Sequence, residues 1–350
     1  MKTRTPSNIT IGLDLGDTHH FLCVQDDTGE ILEERSITNH RESLRRLTKK
    51  YPGALVALEV GSHSPWVSRF LKGLGMTVIV ANARKLRVIY TNDRKCDALD
   101  ARMLAKLARA DISLLHPIEH GSEEAQRDLL QIKLRDNLVR QRVDIISCVR
   151  FTLKSLGVRL PSPNTGCFAK CARTRIAEKH ADLLVMIEPS LAVVDELTRR
   201  IRELDRAIER MCEERYPETK RLRQIRGVGP ITALCFVLTI GSPARFMKKR
   251  SVGAYLGLVP KRDQSGKADK KLSISKAGNA YLRKLLVGSA NYILGHFGPD
   301  CDLKRRGLRL AERGGRGAKK KAIVATARSL AVVMLTLWQE ETEYEPNMAA

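Results

Sequence analysis

Residues 122–156 contain neither glycine nor proline. Without a breaker, such a run reads as one helix, roughly 50 Å long at 1.5 Å per residue. That exceeds the width of a small domain, so the chain cannot close around a single core. Breakers crowd both ends: Pro117 and Gly121 before it, and Gly157, Pro161, Pro163 and Gly166 after it. A second helical stretch covers 175–215, with an interruption expected near Pro189. Within it Leu197, Ile201, Leu204, Ile208 and Met211 recur at spacings of four and three, a heptad seam. Two long helices joined by a loop suggest an antiparallel coiled-coil arm that could also pair two copies of the chain. An ordinary helical bundle fits the same pattern.

Before that run the chain has another character. Ile9 to Leu15 reads as a strand, and Phe21 to Gln25 with Ile31 to Ile37 as a hairpin across Asp26-Asp27-Thr28-Gly29. Arg41 to Lys50 is a predicted helix stopped by Tyr51-Pro52-Gly53. Leu55 to Val60 is a predicted strand, Trp66 to Leu74 a helix and Thr77 to Ala81 a strand. Asp97 to Ala110 has helical apolar spacing. Three early strands followed by alternating strands and helices give a mixed α/β layer fold.

The third region is set apart by charge. Residues 221–330 hold 25 Lys and Arg against 5 Asp and Glu, while the other 240 residues hold 37 against 34. The net charge of +23 is therefore almost entirely a property of this segment, and a polyanion such as DNA or RNA is its natural partner. The 43% hydrophobic content supports a globular chain. No run approaches 18 uncharged apolar residues, and the basic N-terminus lacks an apolar signal core, so a membrane or secreted protein is not expected and a cytoplasmic one is. The eight cysteines form no CxxC pair. Cys167, Cys171 and His180 fall short of a zinc set, and reduced thiols are expected. The tail from Glu340 is acidic and expected to fray.

Three constellations carry chemistry. Asp14 closes the first strand in Ile11-Gly12-Leu13-Asp14-Leu15-Gly16, where α/β folds open their ligand crevice. Glu59 closes a second apolar strand. Asp97 and Asp100 lie three apart, on one face of a helix. First-turn acids are also common for the helix dipole, and Asp14 could be a turn residue. As a set, four carboxylates could hold two divalent ions, Mg²⁺ or Mn²⁺, at a phosphodiester. The run Asp14-Leu15-Gly16-Asp17-Thr18 also matches the opening of actin-like and sugar-kinase ATPases. That fold needs a second glycine-rich phosphate loop, and none lies between residues 100 and 240.

The second constellation is Ile225-Arg226-Gly227-Val228-Gly229-Pro230, the helix-hairpin-helix pattern. Arg226, Gly227 and Gly229 would there meet a DNA phosphate at a helix N-terminus. A plain αα-turn has the same outline. The third is Asp263-Gln264-Ser265-Gly266-Lys267, followed by Ser273-Ile274-Ser275-Lys276-Ala277-Gly278-Asn279. A serine beside glycine among cations can be a reachable nucleophile, with Lys261, Arg262, Lys267 and Lys276 on phosphate. No histidine lies nearby in sequence to act as base, and by residue type alone Ser265 fits a turn.

In this order the motifs resemble the insertion-sequence transposases of the DEDD class, the IS110 family, with the Piv-type DNA invertases as relatives. The resemblance covers nearly the whole chain. It rests on Asp14, on the Leu-Glu-Val-Gly motif at Glu59 ahead of Ser64-Pro65-Trp66, and on K-x-D-x-x-D-A-R from Lys95 to Arg102. Cys96 stands where that motif usually has Thr or Ser. It rests further on Gly227-Val228-Gly229, on Ala254-Tyr255-Leu256-Gly257-Leu258 and on Gln264-Ser265-Gly266 through Ser275-Lys276-Ala277-Gly278.

The resemblance implies an RNase H-like (RuvC-like) catalytic domain over 1–118 and a helical coiled-coil domain over 119–218. A mainly α, basic transposase domain with a helix-hairpin-helix element would span 219–338, and an acidic tail 339–350. It implies Ser265 as a nucleophile delivered by a partner protomer and linked covalently to DNA. The partners implied are donor and target DNA, an element-encoded bridge RNA that pairs with both, and further copies of the chain, a dimer or a synaptic tetramer. Two rivals remain: a hydrolytic junction-resolving nuclease with the same carboxylates, and a nucleic-acid-binding protein without activity.

Overall fold

The computed structural model describes residues 9–86, 96–160, 164–178, 180–265 and 268–347. The chain divides into two compact units, Met1–Glu123 and Glu124–Ala350.

The first unit is a five-stranded sheet with helices on both faces. Its strands are β1 (Thr10–Leu15), β2 (His19–Gln25), β3 (Ile31–Thr38), β4 (Leu55–Glu59) and β5 (Thr77–Ala81). Their spatial order is β3-β2-β1-β4-β5. The first three form an antiparallel meander, and β4 and β5 add in parallel beside β1. At the β2–β3 turn the buried Asp26 carboxylate accepts bonds from the Thr28 and Glu30 amides at 3.0 and 2.9 Å. Strand alternation sorts the core. Ile11, Leu13, Leu22, Val56 and Leu58 face α1 (Arg41–Lys50) and α2 (Ser64–Gly73), meeting Leu44, Leu47, Val67 and Leu71. The opposite face is lined by small residues and receives α3 (Asp97–Ala110): Ala57 and Ala81 meet Leu104 and Ala108, and Cys23 meets Ala101 and Ala105.

The second unit opens with α4 (Glu123–Ser155), the single long helix its composition requires. After α5 (Phe168–Ala177), α6 (Ala181–Glu214) runs back along it. The cross-links fix the direction: Arg215 to Asp128, Arg135 to Asp205, and Arg142 to Thr198. As one helix number rises the other falls, so the pair is antiparallel. At the far end Ile146, Val149 and Leu153 pack with Phe168, Ala172, Leu191 and Val194. Pro189 does not interrupt α6, contrary to the sequence expectation. Ile187, Leu191 and Val194 keep their places in the core across it, and that burial outweighs one missing hydrogen bond.

Short α7 (Glu218–Leu222), α8 (Pro230–Ile240) and α9 (Ser251–Tyr255) follow, then α10 (Ala280–Leu294), α11 (Asp302–Glu312) and α12 (Ala318–Glu340). Ile132, Ile208, Met211 and Cys212 of the long pair share one core with Phe236, Leu286, Leu330 and Met334, so the middle and C-terminal regions form one unit. By length and composition α12 could cross a bilayer, but 44% of its apolar window is buried. It supplies Ala327, Leu330, Met334 and Leu337 to the core.

Two further expectations need correction. The helix-rich C-terminal region also contains a β-hairpin, β6 (Pro260–Ser265) and β7 (Ala268–Ile274). Its strands are charged rather than alternating, so no apolar period marks them. The acidic tail is docked rather than frayed through its described residues. Tyr344 packs on the core, its amide donates to Gln224, and the Pro346 carbonyl accepts from Asp302.

Candidate functional site

The carboxylate cluster is built by register and by one glycine. In the parallel pair, Gly12 lies opposite Ala57 and Leu13 opposite Leu58, so Asp14 and Glu59 come next on neighbouring strands. Gly12 and Asp14 share one face, as do Ala57 and Glu59. A Cβ on Gly12 would lie 1.8 Å from the Ala101 carbonyl oxygen and 2.6 Å from the Ala105 nitrogen. Only glycine therefore lets α3 rest its backbone on the sheet. The preceding turn of α3 holds Asp97 and Asp100, which this seating carries over Asp14. Arg102 completes the seating with a bidentate pair to Glu34 on β3, at 2.8 and 2.7 Å. That pair, chiefly through its hydrogen bonds, holds Glu34 below the usual carboxylate range. In the D-A-R triplet, then, the aspartate belongs to the cluster, the alanine permits contact and the arginine clamps.

The electrostatics register the convergence. Burial, followed by the charges of Asp97, Asp100 and Glu59, raises Asp14 to about 6. Asp100 is buried, Asp14 and Glu59 are half-buried and Asp97 is exposed, so the cluster opens on one side. Among the described residues no three His, Cys, Asp or Glu side chains are drawn together closely enough to hold an ion as they stand. The four meet through their fields rather than as a finished cage. The donor set nevertheless fits a hard divalent cation: it is all carboxylate oxygen, and its mutual repulsion is what such an ion would relieve. Beside it, His63 donates from Nε2 to Asp17 at 2.8 Å and accepts at Nδ1 from Trp66 at 3.2 Å. No sequence motif marks the His63–Asp17 pair, which ties the turn after β1 to the start of α2.

The second unit carries the remaining predicted residues. Ser265 is the last residue of β6, paired with Ala268, so it stands at the tip of a hairpin rather than in an open loop. Lys267 lies outside the described residues. Lys261 and Arg262 are exposed on β6. Lys276 is exposed just past β7, with its amide donating to the Gly257 carbonyl at 3.1 Å. The two motifs flanking the hairpin lock together. A Cβ on Gly257 would lie 2.2 Å from the Ala277 nitrogen, and one on Gly278 2.2 Å from the Tyr255 oxygen. Arg283 ties them, donating to the carbonyls of Leu256 and Ala277. These motifs anchor the hairpin base. Arg226 and Gly227 are exposed in the turn between α7 and α8, and Gly229 caps α8. Gly227 has φ +96, and its Cα faces the Tyr292 ring.

A meander extended by parallel strands, with acids at adjacent strand ends and a third element bearing two more, is the RNase H-like arrangement of metal-dependent phosphodiester enzymes. Comparison with known proteins narrows the class. The profile of the DEDD transposases of IS110 type matches residues 11–157, and that described as "Transposase IS116/IS110/IS902 family" matches residues 219–302. The chain is 27% identical to the transposase for insertion sequence element IS1111A of Coxiella burnetii, across 95% of this chain and 90% of that one. It is equally identical to a probable family 20 transposase of Pseudomonas aeruginosa, across 96% and 98%. A Streptomyces coelicolor protein of insertion element IS110 is 22% identical across 98% and 96%. The protein belongs to the IS110 family of DEDD transposases.

Proposed function

We propose that this transposase cuts and rejoins DNA with its four carboxylates holding Mg²⁺, or Mn²⁺ in its place, and Ser265 as nucleophile. The observation that carries the metal site is the register that brings Asp14 and Glu59 to neighbouring strand ends, with Asp97 and Asp100 on the first turn of the helix seated on the same sheet face. A divalent ion bound there would polarise the phosphodiester and neutralise charge on its departing oxygen. The chain's own part is to hold the acids in place through Gly12 and Arg102, against a burial and mutual repulsion that raise Asp14 to about 6. The Ser265 oxygen attacks phosphorus. A serine–phosphate bond forms, one phosphorus–oxygen bond of the strand breaks, and the freed strand end takes up the proton that serine gives up. Reversal by a different strand end rejoins DNA without ATP.

The tip position of Ser265 supports this role, because a hairpin end is reachable by a bound strand. The strongly basic second unit supports binding of donor and target DNA and of an element-encoded bridge RNA. Delivery of Ser265 by a partner copy would make the active assembly a dimer or tetramer, with α4 and α6 as the coiled-coil contact. The turn from Arg226 to Gly229 would act as a helix-hairpin-helix element on DNA phosphates. The reaction is placed in the cytoplasm, with the DNA.

A second reading uses water as nucleophile at the same carboxylates. Its support is that the whole acidic set lies within one compact unit, sufficient for hydrolysis. The two separate in one assay. Protein, the element's flanking noncoding RNA and Mg²⁺ are incubated with a labelled donor junction, using wild type and Ser265→Ala. A protease-sensitive DNA adduct that requires Ser265 supports the serine reaction. Free cut ends from both proteins, with no adduct, overturn it in favour of hydrolysis.

A further inference from the structure

The second unit contains a cleft of about 840 Å³ between the base of the β6–β7 hairpin and one face of α12. Four cations line it: Arg250, Arg306, Lys321 and Arg328. No Asp or Glu among the described residues does so. The rest of the wall is apolar or hydroxylic, with Pro260, Leu272, Ser273 and Ile274 from the hairpin and Val324 and Ser329 from α12. A neighbouring cavity of about 410 Å³ also borders Arg250 and Arg306, but there Asp302 and the tail acids Glu340, Glu343 and Glu345 balance the charge. The cleft's distinctive cations are therefore Lys321 and Arg328. They stand two turns apart on α12, and neither side chain makes an ion pair among the described residues. Room for Arg328 is built in. A Cβ on Gly253 would lie 2.8 Å from its Cγ.

We infer that this cleft binds the sugar–phosphate backbone of one DNA strand and leads it along the hairpin toward Ser265. Cations on an apolar floor suit phosphates with sugars and bases between them. A cleft of this volume takes a ligand of about drug size, hence a nucleotide or two of one strand and not a duplex. DNA is favoured over RNA because the cleft wall is the hairpin that carries the proposed nucleophile. The inference rests on the reading that this chain handles DNA, and does not depend on which nucleophile acts.

The test is fluorescence anisotropy of the full chain with a labelled single-stranded DNA across a salt series. Unlabelled RNA of the same sequence and duplex DNA serve as competitors. Lys321→Glu and Arg328→Gln are compared with Lys170→Glu, an exposed lysine on α5 away from the cleft. Thermal melts check that each variant is folded, and Lys321, being exposed, keeps the test valid should Arg328→Gln destabilise the fold. Each cleft variant is expected to weaken single-strand binding about tenfold and to reduce the slope of log K against log salt by about 0.7, with Lys170→Glu near wild type. Unchanged affinity and slope in folded cleft variants overturn the cleft while leaving DNA binding standing. Loss of RNA competition alone overturns the choice of DNA. Absence of any DNA binding by wild type overturns the DNA-handling reading itself.

Discussion

The two units handle negative charge in opposite ways. The first holds 18 Lys and Arg against 15 Asp and Glu, and by backbone register and a bare glycine it sets four acids within electrostatic reach of one another. The second holds 44 against 24 and spreads its cations over helix faces and a polar hairpin. An acidic centre must be precise, because gathering like charges costs free energy that the fold has to offset. A basic surface for a polyanion can be diffuse, because each phosphate contact adds independently through counterion release. Substitutions should accordingly act all-or-none in the first unit and by increments in the second.

The largest expected effect is on catalysis. Asp14→Asn should lower metal-dependent DNA cleavage by about a thousandfold or more, since under the proposed function it would remove a metal ligand and a charge at the reacting phosphate. A variant that still cleaves at wild-type rates would break the contrast. Next comes Gly12→Ala, whose added methyl has no room beneath Ala101. It should destabilise the fold by about 3 kcal/mol, read by denaturant titration, and abolish cleavage as α3 is pushed off the sheet.

In the second unit the buried Asp128 accepts from Arg215 at 2.9 Å and from Tyr216 at 2.6 Å. Asp128→Ala should cost about 2 kcal/mol by the same titration, through the Tyr216 hydroxyl left unpaired and the ion pair lost to Arg215, which keeps Glu124. Of similar size is the pH effect of Asp14. Its folded pKa of about 6 lies above the ordinary 3.8, so the folded state keeps a proton that the unfolded state has lost. Its stabilising contribution is full below about pH 4 and is lost as pH rises through 6, a change of about 2 kcal/mol in metal-free protein. Asp14→Asn should flatten that slope and melt above wild type at pH 7 without added metal. A wild-type slope of the opposite sign would show that the acids do not repel one another.

Much of the first unit was legible because its strands are short, apolar and bounded by turn residues, and because Asp14 and Glu59 end two of them. Asp97 and Asp100 could be placed on one helix face by spacing alone. What spacing could not show was the role of Gly12, which depends on which helix lands on which strand. The signal was present in a glycine two residues before Asp14, on the same strand face. No apolar period marks the hairpin of the second unit, because its strands PKRDQS and ADKKLSI are rich in charge, and the contacts at its base hold it. Tyr255, Gly257, Ala277 and Gly278 do that holding. Local propensity marks Pro189 as a break, because the tertiary packing of its neighbours is not encoded in it. The basic cleft was hidden for a similar reason. Lys321 and Arg328 lie on one face of an apolar helix, yet their neighbours Arg250 and Arg306 come from distant segments.

The most direct test of the account is a calorimetric Mn²⁺ titration of wild type and Asp14→Asn at pH 7.5, about 1.5 units above the raised pKa, with melts confirming that both are folded. The account predicts saturable binding in wild type that is lost in the variant. Equal binding by both proteins would contradict a metal centre at Asp14, Glu59, Asp97 and Asp100.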